Sequence, residues 1–192
     1  MKELRSDPRR EAILMSALQA FASYGFRKTS MDDIARGAGM SRPAVYLHYK
    51  NKEAIVRSLT ERYYEDKLMA IREALAGGGS VSETVARAIK AHCEGMATIL
   101  ASPHGLELLD AGKSNAPDIV NEGEAELAAI YAEWLTQESD AGRARLADSA
   151  EDVAVTITAA LKGIKMTSAN AEEFEQRVSQ LASLFGAGLE VR

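Results

Sequence analysis

Apolar residues recur three and four positions apart along almost the whole of this chain, and nowhere does a β-branched run alternate with polar residues. The pattern suits amphipathic helices and leaves no segment from which to build a sheet, so the predicted fold class is all-α. With 192 residues, 46% of them hydrophobic, the chain can fill one compact core or two small ones. A single cysteine, Cys93, excludes an intramolecular disulfide and any zinc site built from several thiolates. No apolar run approaches the ~20 residues needed to span a bilayer, and the first residues lack the apolar core of a signal peptide, so a cytoplasmic protein is expected.

Caps and breaks divide the pattern into about nine helices. Asp7 before Pro8 opens the first, which should run to Tyr24 and stop at Gly25. Ser30 with Asp33 fits a capping box for a short second helix ending near Arg36. Ser41 caps a third, with Pro43 in its first turn, reaching about Tyr49. Asn51 caps a long fourth helix that ends before the flexible Gly77-Gly78-Gly79-Ser80 stretch. Beyond it, helices are expected over about 82–100, 105–111, 117–138, 149–167 and 171–188. No repeat of solenoid period is present.

The formal charge of −5 speaks superficially against a nucleic-acid partner, but its distribution does not. Residues 1–57 hold 11 Lys/Arg against 6 Asp/Glu, a net +5, while the remainder holds 12 against 22, a net −10. A small basic module can approach phosphates while an acidic remainder faces away. Within that module, Thr29 to Lys52 has the form of a helix-turn-helix: two short helices, a glycine-containing turn, small Ala35 at the crossing, and Ile34, Met40 and Val45 as interior. The outward positions of the third helix, Arg42, Pro43, Ala44, Tyr46 and His48, would face a major groove. Arg42, near the N-terminus of that helix, is suited to bidentate hydrogen bonds with a guanine edge, and Pro43 and Ala44 to a thymine methyl. Ser41 caps the same end. Tyr46, His48, Tyr49 and Lys52 are expected at phosphates, with packing beneath the fourth helix as the other reading of Tyr49.

This stretch resembles the DNA-binding domain of the TetR family of transcriptional regulators. The resemblance is carried by Ala12, Phe21 to Gly25, Thr29-Ser30, Ile34-Ala35, Ala38 to Ser41, Val45-Tyr46, His48-Tyr49 and Asn51 to Glu53. It implies an N-terminal helix-turn-helix domain, taken as residues 1–60, and a divergent helical domain over 61–192 that binds a small effector and forms a homodimer. By analogy it also puts Thr29 and Ser30 on phosphates. The function expected is a DNA-binding regulator, most simply a repressor released from a palindromic operator by its effector. The alternatives are a DNA-binding dimer whose second domain takes a partner protein or no ligand, and, more remotely, a metal-dependent helical enzyme.

In the C-terminal region, His92, Met96, Leu108, Tyr131 and Trp134 are candidate walls of an effector cavity suited to an apolar or aromatic ligand, with His92 and Glu107 orienting its polar end. Plain core packing is the alternative for Tyr131 and Trp134. A metal on His92, Cys93, His104 and Glu107 is not expected, nor any other cofactor. Val153, Ile157, Leu161 and Ile164, followed by Phe174, Val178, Leu181 and Phe185, form two helical stripes assigned to the dimer interface. Gly112-Lys113-Ser114 ends like a phosphate-binding loop, but Glu107 stands where that loop needs glycine. No G-x-S-x-G elbow exists, and His92-Cys93 point to different helix faces, so no catalytic residue is assigned.

Overall fold

The computed structural model describes residues 7–191. Among them are ten helices: α1 (Pro8–Tyr24), α2 (Met31–Gly37), α3 (Arg42–Tyr46), α4 (Lys52–Ala76), α5 (Val81–Cys93), α6 (Met96–Ala101), α7 (Gly105–Asn115), α8 (Pro117–Asp140), α9 (Ala150–Thr167) and α10 (Ala171–Leu189). The described residues contain no strand beyond an isolated bridge between Ala144 and Glu190. The all-α expectation therefore holds. The segment read as one helix over 82–100 is two, α5 and α6, because Gly95 takes φ +76°, a left-handed conformation that a side chain resists. Ser80 and Glu83 close a capping box that starts α5 at Val81.

The chain divides into two compact units, neither of them continuous in sequence. The first comprises the residues up to Tyr63 and Ile99–Val120, and the second Tyr64–Thr98 with Asn121 onward. The sequence boundary at 60 lies close to the first crossing, but α7 joins the first unit from far along the chain.

In the first unit, α1, α2, α3 and the start of α4 enclose Ile13, Leu14, Ala17, Phe21, Ile34, Ala35, Val45, Tyr49, Ile55 and Val56, and Leu108 and Ala111 of α7 complete the same core. Polar contacts fasten α7 there. The His104 N–H donates to the Ala22 carbonyl at 3.1 Å, and Glu107 Oε1 accepts the Arg27 N–H at 3.0 Å. Arg57 holds Asp118 through both terminal guanidinium nitrogens, one at 2.8 Å.

The second unit is built from the remainder of α4 with α5, α8, α9 and α10. Phe174, Val178, Ala182, Gly186 and Leu189 form the buried stripe of α10, and α5 contributes Val81, Thr84, Val85, Ala88 and Ile89. Ala154, Ile157 and Leu161 of α9 and Leu127, Tyr131 and Leu135 of α8 are also buried. The glycine-rich turn before α5 is less loose than its composition suggests: Arg87 donates to the carbonyls of Gly77 and Gly78 at 2.8 and 2.9 Å.

Candidate functional site

The helix-turn-helix is assembled by short-range signals. Ser30 accepts the Asp33 N–H while Asp33 accepts the Ser30 N–H, which fixes the start of α2. Gly39, at φ +66°, turns the chain, and the Met40 N–H returns to the Ala35 carbonyl at 2.9 Å. Ser41 then caps α3 by accepting the Ala44 N–H. Ile34, Ala35 and Val45 are buried, as the spacing predicts, so the opposite side of α3 is left outward.

That outward side carries Arg42, Pro43, Tyr46 and Leu47, with Ala44 half-buried beside them. Arg42 lies over the Tyr46 ring, 5.5 Å from its centroid, and donates to Asp32 at 3.0 Å. Its guanidinium is raised above its ordinary value, by the Tyr46 hydroxyl first and by Asp32 next. The ion pair is exposed, so solvent screens it. Leu47 is 85% exposed and is not among the outward positions expected from the sequence. Its signal was present: Leu47 follows Pro43 by four residues and shares its face, whereas Val45 pairs with Tyr49 inside.

Three residues expected at phosphates have other work. Thr29 is buried, its hydroxyl donating to the Gly25 carbonyl at 2.8 Å, so it staples the turn after α1. Tyr49 is buried in the core with the Arg10 guanidinium 5.4 Å from its ring centroid, a position that fits the packing alternative. Lys52 turns inward: its ammonium donates to the carbonyls of Phe26, Arg27 and Thr29 at 2.7, 3.1 and 3.2 Å and lies 4.5 Å from the centre of the Phe26 ring. All three ammonium hydrogens have acceptors within the protein, leaving none for DNA. His48 is half-buried with Nδ1 3.5 Å from Asp7, and Ser30 and Ser41 stay exposed at the caps.

The effector candidates fall in both units, Leu108 and Glu107 in the first and His92, Met96, Tyr131 and Trp134 in the second. Leu108 belongs to the core of the first unit, and both oxygens of Glu107 are engaged there, by the Arg27 N–H and by His104 Nδ1 at 3.2 Å. The Arg27 N–H chiefly holds Glu107 below the usual carboxylate range. Glu107 therefore locks the turn that follows α1. In the second unit, His92 and Tyr131 do meet, with rings stacked at 6.0 Å. Met96 and Trp134 are buried, Trp134 one turn beyond Tyr131. His92 Nδ1 and the Tyr131 hydroxyl are enclosed without any hydrogen-bond partner, a cost of about 1–3 kcal/mol for each such group. Burial, reinforced by the ammoniums of Lys165 and Lys67, pushes His92 down to about 4, so the ring is neutral at pH 7. Burial also pushes the Cys93 thiol up to about 11, keeping it protonated. Among the described residues no group of three His, Cys, Asp or Glu is placed to hold a metal ion.

The interface stripes divide as well. Ile157, Leu161, Phe174 and Val178 are buried within the chain itself, where α10 packs on α5 and α9. Val153, Ile164, Leu181 and Phe185 remain half-exposed. Beside them Val155 and Met166 of α9 and Leu184 of α10 stand open, at 56%, 58% and 72%.

The first unit is thus a helix-turn-helix module of the DNA-binding kind, capped and packed to present one face of α3. Residues 13–59 match the family described as "Bacterial regulatory proteins, tetR family". The HTH-type transcriptional regulator YerO of Bacillus subtilis is 39% identical over 72 residues, 36% of this chain and 25% of that protein. The HTH-type transcriptional activator FasR of Mycolicibacterium smegmatis is 32% identical over 72 residues, 38% of this chain and 33% of that protein. The chain thus matches a third or less of the length of these curated relatives. The fold similarity is wider: SmeT, the repressor of the Stenotrophomonas maltophilia multidrug efflux pump SmeDEF, superposes with a TM-score of 0.71 at 19% identity, covering 95% of this chain and 90% of that one. The likeness to the TetR family therefore lies in the N-terminal helix-turn-helix segment, residues 13–59.

Proposed function

We propose that the protein is a DNA-binding transcriptional regulator that grips a palindromic operator as a homodimer and is released by a small effector. The observation that carries this reading is the outward face of α3, where Arg42, Pro43, Tyr46 and Leu47 stand exposed on a helix whose other side is locked into the core. Arg42 reads a base edge. Pro43, Ala44 and Leu47 supply apolar contacts of the kind a thymine methyl accepts, and Tyr46, His48, Ser30 and Ser41 lie at the phosphate-facing margins. No described helix is long and apolar enough to cross a membrane.

The partner is a second copy, seated on the open face of α9 and α10. Leu181, Leu184, Phe185 and Gly188 lie at spacings of three, one and three on α10, while Val155, Ala159, Gly163 and Met166 make the matching stripe on α9. Two helices from each subunit then form an intersubunit bundle with small residues at close approach. Such a dimer sets its two α3 helices about 34–36 Å apart, one turn of B-DNA. An effector that binds better to another spacing lowers operator affinity. Repression follows from operator occupancy at a promoter, the direction in which SmeT, described as a repressor, acts. The function is binding, not catalysis. Selection of bound sites from random double-stranded DNA tests the reading: enrichment of an inverted repeat supports it, and recovery of no sequence above background defeats it.

A further inference from the structure

The second unit contains a cluster that neither the DNA face nor the dimer face uses. His92 at the end of α5 stacks on Tyr131 of α8, and the polar atom of each ring is enclosed with nothing to bond. Tyr131 has no exposed surface at all. Two orphaned groups on stacked rings call for a hydrogen-bonding partner that the chain itself does not supply. The charges acting on His92 are the ammoniums of Lys165 on α9 and Lys67 on α4. Lys67 is buried and held at the end of α5, donating to the Ala91 carbonyl at 3.2 Å and to the Glu94 carbonyl. The carboxylates of Glu94 and Asp66 act on Lys67 itself, and none is among the groups acting on His92. Leu127, Trp134 and Leu135, one turn to either side of Tyr131, are apolar and buried.

We propose that this cluster recognises an apolar effector through its carboxylate, which accepts hydrogen bonds from the Tyr131 hydroxyl and the His92 imidazole. The inference rests on the reading of the chain as an effector-controlled regulator and adds the chemical class of effector. A carboxylate offers one oxygen to each donor, with His92 in the tautomer that carries its proton on Nδ1. Two neighbouring ammoniums favour a negative charge and exclude a cation. A neutral amide of the same shape makes the same two hydrogen bonds and gains little from those ammoniums. A phosphate brings more charge and more acceptors than two donors among leucine and tryptophan can satisfy.

The test uses the full-length protein and matched probes: carboxylates of six to twelve carbons and arylacetates, each against its primary amide. Binding is followed by calorimetry and by Trp134 emission, and operator release by anisotropy of the selected DNA. At least one carboxylate should bind tenfold or more tightly than its amide. Tyr131→Phe and His92→Phe should each weaken that carboxylate about tenfold or more, the loss of one charge-assisted hydrogen bond, while thermal stability stays level or rises because an orphaned polar group is gone. Lys165→Met should erase the preference for acid over amide. Equal binding of acid and amide, an unaffected Tyr131→Phe variant, or no carboxylate binding would each overturn the proposal. Release of DNA by amides alone also overturns it while leaving the effector-controlled reading intact. A carboxylate that binds through Tyr131 without releasing DNA supports the subsite and defeats that reading.

Discussion

Replacing Lys52 with alanine separates two roles that the same lysine could have. In the structure its ammonium ties together the carbonyls of Phe26, Arg27 and Thr29, the segment that leads from α1 into α2. A hydrogen bond to a charged group contributes about 1.5–3 kcal/mol. The three share one donor group at the protein surface, and water can reach part of them, so the sum is about 2–3 kcal/mol including the Phe26 ring contact of roughly 0.5–1 kcal/mol. For a chain of this size that corresponds to a fall in Tm of roughly 4–12 °C. Lys52→Met, which keeps the apolar stem, should fall nearly as far, because the charge and its three bonds are what is lost. Thermal unfolding by circular dichroism measures the first quantity, and operator binding across a salt series at a temperature where the variant is folded measures the second. The dependence of affinity on salt should match the parent protein. A Tm within a degree of the parent, together with a salt slope reduced by about one unit, would show that Lys52 serves a phosphate and that the inward-bonded role is wrong.

Arg42→Ala should cost about 1–3 kcal/mol at a single operator position and relax the base preference there; a sequence profile weakened uniformly instead would remove Arg42 from the base-reading role. Leu47→Ser should lower affinity at an A·T position with unchanged Tm, since 85% of the side chain already faces solvent; a loss of stability without any loss of DNA binding contradicts the assignment. Leu184→Glu should give a folded monomer with poor operator affinity, whereas a variant that sediments as a dimer places the interface elsewhere. Asp118, held down to about 2 by the Arg57 guanidinium, makes a contribution present above about pH 4 and lost as the pH falls through 2. The stability difference between the parent and Asp118→Asn should therefore vanish toward pH 2, and a difference that persists there points to a cause other than ionisation.

The elements that local chemistry specifies were readable from the sequence. Ser30, Ser41 and Asn51 each cap the helix that follows, and Ile34, Ala35 and Val45 face inward because their spacing leaves them no other side. What escaped depends on partners far along the chain. Thr29 and Lys52 look like ordinary surface donors until the carbonyls they serve are folded beside them. Leu108 shows an apolar face without saying which core it fills. The stripes on α9 and α10 are broad enough to cover a subunit's own core and a partner at once, so periodicity named both helices and could not divide Phe174 and Val178 from Leu184 and Met166.

The discontinuity of the first unit sets a timetable for its synthesis. Domains generally fold as units while the ribosome emits about 5–20 residues per second. The recognition helix is complete by Tyr46, yet Leu108, Ala111 and the Glu107 latch on Arg27 are made some sixty residues later. For several seconds at that pace the nascent chain carries a DNA-reading surface on an unfinished core, and the module closes only after Val120 has left the tunnel. A fragment ending at residue 63 would remain in that unfinished state, so isolating the DNA-binding module means carrying α7 with it, by permutation or by a linker that replaces α5 and its neighbours.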